Sequence, residues 1–524
     1  TCGVNGSITV NYSGGTGDYV ISWTGPIKGS YNDTDGSPYI ISLPGGIYSV
    51  TVTDSYGSYA TVSSITVPYL PVKNNTGPVY FATIQAAVTA AASGDVLDIC
   101  DGTYNERVVI DKPLTLNGLS EAGTILDGTG LAGTGKGITI NTGIEGVTIQ
   151  NLTVQNFAGA SGNADGGIYA IGGNNNLTIQ HVTIQNNVGG SGFYANGPVD
   201  NVLIDDVTSS GHTVGARGIV IWNGLKSNIT ITNCDVFNNN CCGIELQDGT
   251  ASGVTITGNN VHDNGDNGFG IVGMEGPGVN LIADNTVTDC GRFGIEIKNP
   301  NGSGLATGPG SIVVEDNIVS RITTIGDLRD IVGIAAFRRG VLAENVDVPT
   351  GVVIQNNTVS GYVQTSTSDG FGIVVEGTNH SVLNNNVSGC DVGIQQQAGH
   401  LPYPGDGDQN NLADQYFGRG NSPVTCGITM TGNTYSSNGT DSRNVGSVGG
   451  AGFVVNTNTG KTFCSIQAAI DDAATLAGHT IQVSAGTFNE SIVLNKLVKI
   501  LGEGPTNTFL TPTTACSGIG VSIS

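Results

Sequence analysis

Short apolar runs, each opened by a glycine, recur along most of this chain. They read Gly137-Ile138-Thr139-Ile140, Gly167-Ile168-Tyr169-Ala170, Gly192-Phe193-Tyr194-Ala195, Gly218-Ile219-Val220-Ile221 and Gly243-Ile244-Glu245-Leu246. The series continues at Gly270-Ile271-Val272, Gly294-Ile295-Glu296-Ile297, Gly333-Ile334-Ala335-Ala336, Gly372-Ile373-Val374-Val375 and Gly393-Ile394-Gln395-Gln396. Most of these glycines are about 25 residues apart, a solenoid period. The longer steps into Gly333 and Gly372 predict inserted loops. A second run follows each first, as in Val147-Thr148-Ile149, Leu177-Thr178-Ile179, Ile229-Thr230-Ile231, Val254-Thr255-Ile256 and Val352-Val353-Ile354. Apolar residues alternating with Thr are the two-fold pattern of strands. Two or three short strands cannot bury a core alone, but stacked repeats bury a continuous one. The pattern therefore predicts an all-β fold built on a right-handed parallel β-helix.

Aligning the repeats on the second run exposes one inward column. It reads Leu152, Val182, Val207 and Cys234, then Asn259, Asn285, Asn317, Asn357, Asn385 and Asn433. Rungs stack about 4.8 Å apart, so identical amides can hydrogen-bond along the stack and satisfy one another. These residues are read as a structural ladder.

The flanking segments differ. Residues 1–69 carry short strands and turns at the spacing of a small β-sandwich, with Trp23 as the expected core anchor. Through Cys2, Gly6-Ser7-Ile8-Thr9-Val10, Ser13-Gly14-Gly15-Thr16-Gly17, Ser22-Trp23, Gly46-Ile47-Tyr48 and Val50-Thr51-Val52-Thr53-Asp54, this segment resembles the Ig-like repeat of the gliding-motility adhesins of Bacteroidetes. That family often has a second Cys after the Thr-Asp turn. Here Ser58 or its neighbours stand there, leaving Cys2 without that partner.

Ile84, Ala87, Val88 and Ala91 share one helical face, and such a helix can close the open end of a solenoid. Its surroundings, Ile84-Gln85-Ala86-Ala87, Gly102-Thr103-Tyr104-Asn105-Glu106 and Lys112-Pro113-Leu114-Thr115-Leu116, resemble the N-terminal cap of the pectin-lyase-like β-helix superfamily. That resemblance implies a fold, not a function, because the superfamily holds lyases, hydrolases, esterases, epimerases and non-enzymatic surface proteins. The cap recurs at Ile466-Gln467-Ala468-Ala469, Gly486-Thr487-Phe488-Asn489-Glu490 and Lys496-Leu497-Val498-Lys499-Ile500. The expected organisation is a sandwich over 1–69, a capped β-helix over 70–448, and the cap and first rungs of a second β-helix over 449–524. The chain thus reads as a window on a tandem array.

Composition narrows the function. A net charge of −24 and only 11% charged residues over 524 positions give no basic stripe for nucleic acid. No apolar run approaches the roughly 20 residues that span a bilayer. Ten scattered cysteines, without paired CxxC motifs, point to an oxidising, extracellular setting rather than a zinc site; buried free thiols are the plainer alternative, preferred for Cys234. Asp406-Gly407-Asp408-Gln409-Asn410 opens like a calcium loop. Position six is Asn411 rather than Gly, and no Glu follows at position twelve. Calcium at Asp406, Asp408 and Asn410 is the sole cofactor with a candidate place.

Candidate chemistry lies on the outward side of the Gly strands. One column reads Tyr169, Tyr194, Glu245, Glu296 and Gln395; the next reads Asn196, Trp222, Gln247, Met274, Lys298, Phe337, Glu376 and Gln397. Aromatic plates beside carboxylates and amides suit a sugar chain, so Tyr169, Tyr194, Trp222, Glu245, Glu296 and Lys298 form the candidate glycan face; an ordinary solvated face is the alternative. Glu245 and Glu296, two rungs apart, would be about 9.6 Å from each other, at the outer limit for an inverting carboxyl pair. Val272 is expected to intervene. Lys298 and Arg292 could serve a polysaccharide lyase, but no complete lyase or polygalacturonase motif is present. The sequence thus reads as part of a secreted bacterial cell-surface adhesin, a stalk and glycan-binding module. Its partners would be an extracellular polysaccharide or neighbouring copies; the alternative is a polysaccharide lyase or glycoside hydrolase.

Overall fold

A computed structural model describes the chain except residues 1–3, 78, 160–165, 302–310, 324–329, 339–347, 366–368, 399–423, 446–447, 450–451, 513–520 and 524. Cys2 and the candidate calcium residues Asp406, Asp408 and Asn410 fall outside the described residues. The described residues between 72 and 445 wind as a right-handed parallel β-helix. The Gly strands form a 12-stranded parallel sheet, here called sheet B; the intervening strands form a 23-stranded sheet, sheet A, whose first two strands are antiparallel.

The corner within sheet A explains why the strands are short. Asn151, His181, Asp206, Asn233, Asp284, Asp316, Asn356 and Asn384 all hold φ between 51° and 58°. Asn, Asp and His tolerate this left-handed region better than other side-chain-bearing residues, and Gly258 and Gly432 take the same place where no Cβ is present. Each corner turns the next residue inward, and those next residues are Leu152, Val182, Val207 and Cys234, followed by the asparagines. The amides then join rung to rung. Asn259, Asn285, Asn317 and Asn357 each donate Nδ2–H to the Oδ1 of the next amide at 2.9–3.0 Å, and Asn385 donates to Asn433 at 3.0 Å. Each Oδ1 also accepts a backbone N–H from the rung before.

Two further turns carry a similar device that the sequence reading missed. Asn187, His212, Asn239 and Asn264 accept the backbone N–H of Phe157, Asn187, His212 and Asn239 in turn. At a third turn, Asn280 accepts from Val254 and His380 from Val352. Mixed residue types hid both columns from a search for identical letters.

The helix Ile84–Ala90 closes the first rung with Ile84, Ala87 and Val88 buried. Its cap motif now has a mechanism. Thr83 caps the N-terminus, and Glu106 accepts the backbone N–H groups of Ile84 and Gln85 at 2.8 and 2.9 Å. Lys112 Nζ binds the carbonyls of Val88, Thr89 and Ala91 at the other end. These contacts satisfy the groups a helix leaves unpaired at its ends. The second copy repeats them with Ser465, Glu490 and Lys496.

The N-terminal segment is a sandwich of a three-stranded and a four-stranded antiparallel sheet. Its core is Ile8, Val10, Ile21, Ile41, Leu43, Tyr48, Val50 and Val67. Trp23 is half-buried at the margin of that core, so Tyr48, at 1% exposure, is the central aromatic instead.

Candidate functional site

Strand register in sheet B sets the outward columns. Tyr169 pairs with Tyr194, Tyr194 with Val220, Val220 with Glu245, Glu245 with Gly270 and Gly270 with Glu296. The glycine that opens this rung is Gly268, not Gly270, so the expected register is corrected there by two residues. Met274 is not in the outward column; it is buried in the core and bridges Ala251. Val272 stands opposite Lys298 in the neighbouring column, and Gly270 lies between the two glutamates. A Cβ at Gly270 would sit 2.8 Å from Glu245 Oε1 and 3.3 Å from Asn267 Nδ2. A side chain here would crowd Glu245, so the bare backbone leaves room for its carboxylate.

The outer face is not uniformly solvated, contrary to the sequence expectation. From Phe293 onward it is a second apolar core of Phe293, Val332, Ala335, Phe337, Phe371, Val374 and Val392. Gln395, Gln397 and Glu376 are buried in a hydrogen-bonded row ending at Arg443. Arg292 is buried, donating Nε–H to Asp330 O and stacking on Phe293.

A strip across the earlier rungs keeps Tyr169 and Trp222 half-exposed, whereas Tyr194, expected as an outward plate, is buried at 8% exposure beneath its neighbours. Lys136 Nζ lies 4.6 Å from the Tyr169 ring, Tyr169 packs on Tyr194 at 5.1 Å, and the Arg217 guanidinium covers Trp222 at 4.8 Å. The strip leads into a cavity of about 290 Å³ lined by Arg217, Trp222, Cys241, Cys242, Glu245, Gln247, Asp248, Asp266, Asn267, Val272 and Lys298.

The cavity floor alternates in charge. Arg217 Nε donates to Glu245 Oε2, Lys298 Nζ is 3.0 Å from Glu296 Oε2, and Asn267 Nδ2 donates to the same oxygen at 2.6 Å. Gln247 Nε2 holds Glu245 Oε1 at 2.7 Å. Burial would push the Glu245 carboxyl up, but Arg217, Lys298 and the hydrogen bonds outweigh it and hold it below the ordinary carboxylate value. Glu296 and Lys298 are fully buried. Arg217, Lys298, Glu245 and Glu296 therefore share a buried floor, on which Glu245 is held toward its ionised form.

Arg217, Cys242 and Asn267 went unread in the sequence because each precedes a repeat glycine. The carbonyls of Arg217, Cys242, Asn267 and Phe293 accept from successive rungs, which identifies a third outward column. Cys241, Cys242 and Asp266 place their ligand atoms within 4.8 Å of one another.

The family model described as right handed beta helix region matches residues 134–303. A cell surface glycoprotein of Methanothermus fervidus is 44% identical over 57 residues, 11% of this chain and 10% of that protein. The chain therefore aligns with about a tenth of that relative. Among solved structures, a double mutant of the periplasmic alginate epimerase AlgG is 12% identical, with a TM-score of 0.33, over 69% of this chain and 87% of that one. Tailspike protein 3 of bacteriophage CBA120 is 10% identical, with a TM-score of 0.30, over 84% and 58%. Pectin methylesterase from Yersinia enterocolitica is 12% identical, with a TM-score of 0.21, over 68% and 90%. No helix among the described residues is long and apolar enough to cross a membrane. Within 134–303 the chain is thus matched as a right-handed β-helix.

Proposed function

We propose that this is a cell-surface β-helix that binds an extracellular polysaccharide along the Tyr169–Tyr194–Trp222 strip, with one sugar seated in the adjoining cavity. The observation that carries this reading is the strip itself, in which Tyr169 pairs with Tyr194 and Trp222, one column over on the next parallel strand, opens onto a charged cavity. Rings fixed by a sheet lose little freedom on binding, and Gln247, Asp248 and Asn267 offer partners for hydroxyls. The short match to a cell surface glycoprotein supports the location. The segment over 1–69, with its resemblance to adhesin repeats, fits the same setting, with neighbouring copies as further partners.

Catalysis by Glu245 and Glu296 with Lys298 is the second reading, favoured by the glycine between the two carboxyls. Two features weigh against it. Glu245 is held ionised by Arg217, whereas a glycosidase acid must keep its proton. Lys298 is engaged by Glu296 at 3.0 Å.

The test is binding of the full chain to immobilised acidic and neutral polysaccharides. Tyr169→Ala with Trp222→Ala removes two half-exposed rings without touching the inward core. Loss of at least about tenfold in affinity, roughly 1.4 kcal/mol, with unchanged circular dichroism, is expected. Undiminished binding would put the recognition surface elsewhere.

A further inference from the structure

We propose that Cys241 and Cys242 close as a vicinal disulfide in the cavity wall, so that thiol–disulfide exchange remodels the cavity beside Trp222. Their sulfurs lie 2.7 Å apart. Two thiolates on one zinc ion, each about 2.3 Å from it in tetrahedral geometry, would stand about 3.8 Å apart. The observed approach needs only a short further step to the 2.05 Å of an S–S bond. Asp266 completes a three-ligand cluster with them, but the Arg217 cation lines the same cavity and disfavours a divalent ion. The backbone pins both residues, with Cys241 N–H on Ala216 O and Gly218 N–H on Cys242 O, each at 2.9 Å.

The other thiols of the β-helix stack behave differently. Cys234 and Cys290 are buried, their thiols pushed up to about 12 by burial, and Cys390 to about 11. Cys241 is half-exposed, and its thiol is lowered by its hydrogen bond with Cys242 and by Arg217. Cys242 is buried at 2% exposure, so the more accessible Cys241 is the attacking sulfur. The Cys241 thiolate attacks a small-molecule disulfide, forming a mixed disulfide and expelling one thiolate. Cys242, after losing its proton, attacks the Cys241 sulfur, forms the ring bond and expels the second thiolate. The pair loses two electrons and two protons, and the small disulfide becomes two thiols. Adjacent Cα atoms are about 3.8 Å apart, below the usual disulfide span of about 4.4–6.8 Å. The ring is tight and opens readily to a thiol reductant.

The full chain is incubated with glutathione disulfide, denatured in iodoacetamide and mapped by mass spectrometry. The expected peptide spanning Cys241 and Cys242 is unalkylated and two hydrogen masses lighter than the dithiol; after reduction it takes two alkyl groups. Alkylation of both without reduction, bonding of either to another cysteine, or one zinc ion retained per native chain at this pair overturns the proposal. Its effect on the cavity has its own readout. The chain has two tryptophans, so in Trp23→Phe a phosphine reductant should change Trp222 emission, and adding Cys241→Ser and Cys242→Ser should abolish the change. A bond that forms while reduction leaves Trp222 emission unaltered overturns the remodelling.

Discussion

Replacing Asn317 by Leu tests the inward ladder at its middle. Asn317 Oδ1 accepts the backbone N–H of Asn285 at 3.1 Å and the Asn285 Nδ2–H at 2.9 Å. Its own Nδ2–H groups bind Asn357 Oδ1 at 2.9 Å and Ile282 O at 3.0 Å. Leu removes all four bonds. Asn357 Oδ1 keeps the backbone N–H of residue 317, but two donors of Asn285 lose their acceptor in a site closed to water. At roughly 1–3 kcal/mol for each orphaned buried group, the cost is about 2–6 kcal/mol. Leu can return no more than about 1.5–3 kcal/mol by burial, and rungs about 4.8 Å apart leave it little space. Asn433 gives an internal comparison. It accepts the same two bonds from Asn385 but is half-exposed, so water can replace it, and Asn433→Leu should cost less. Urea unfolding followed by circular dichroism measures both. A midpoint for Asn317→Leu equal to that of the parent chain, or a larger loss for Asn433→Leu, would refute the ladder argument.

Acid sensitivity should come from two buried, neutral histidines. Burial lowers His380 to about 4 and His212 to about 3, against about 6.5 unfolded. The unfolded chain therefore binds protons first, and stability is full above pH 6.5 and falls as pH drops toward 4. Over that interval the loss is about 3 kcal/mol per histidine. His380→Asn copies the way Asn280 accepts the Val254 N–H, and should remove its share of the acid limb in melting curves from pH 7 to 4; an unchanged limb would refute this. Lys298→Met leaves Glu296 without its ammonium partner in a buried site and should cost about 3–5 kcal/mol, measured by urea unfolding. A neutral result would show that the floor of the cavity is wetter than its burial implies.

Much of the fold was legible because its rules are local and repeated. The glycine-led runs give the period, the alternation gives the strands, and the Asn column gives the inward turn. The register slip at Gly268 and Gly270 arose because both glycines precede apolar residues, and only pairing with Glu245 and Glu296 decides between them. The outer apolar core around Phe293 and Phe371 was illegible for another reason. Strand alternation says which way a side chain points, not whether another layer covers it. Glu296 and Lys298 were placed on the right face, but strand alternation does not foretell their burial or their mutual ion pair. Arg217 and Cys242 needed the third outward column, which precedes the glycine that drew attention to each repeat.

The central claim, that the strip and cavity bind a polysaccharide without breaking it, is tested most directly in one incubation. The full chain is mixed with a panel of acidic and neutral polysaccharides while retention, new reducing ends and new unsaturated uronate ends are followed together. The account predicts retention of at least one polysaccharide, lost when Tyr169 and Trp222 are both replaced by Ala, with no product release. Sustained release of new chain ends, abolished by Glu296→Gln, would contradict it.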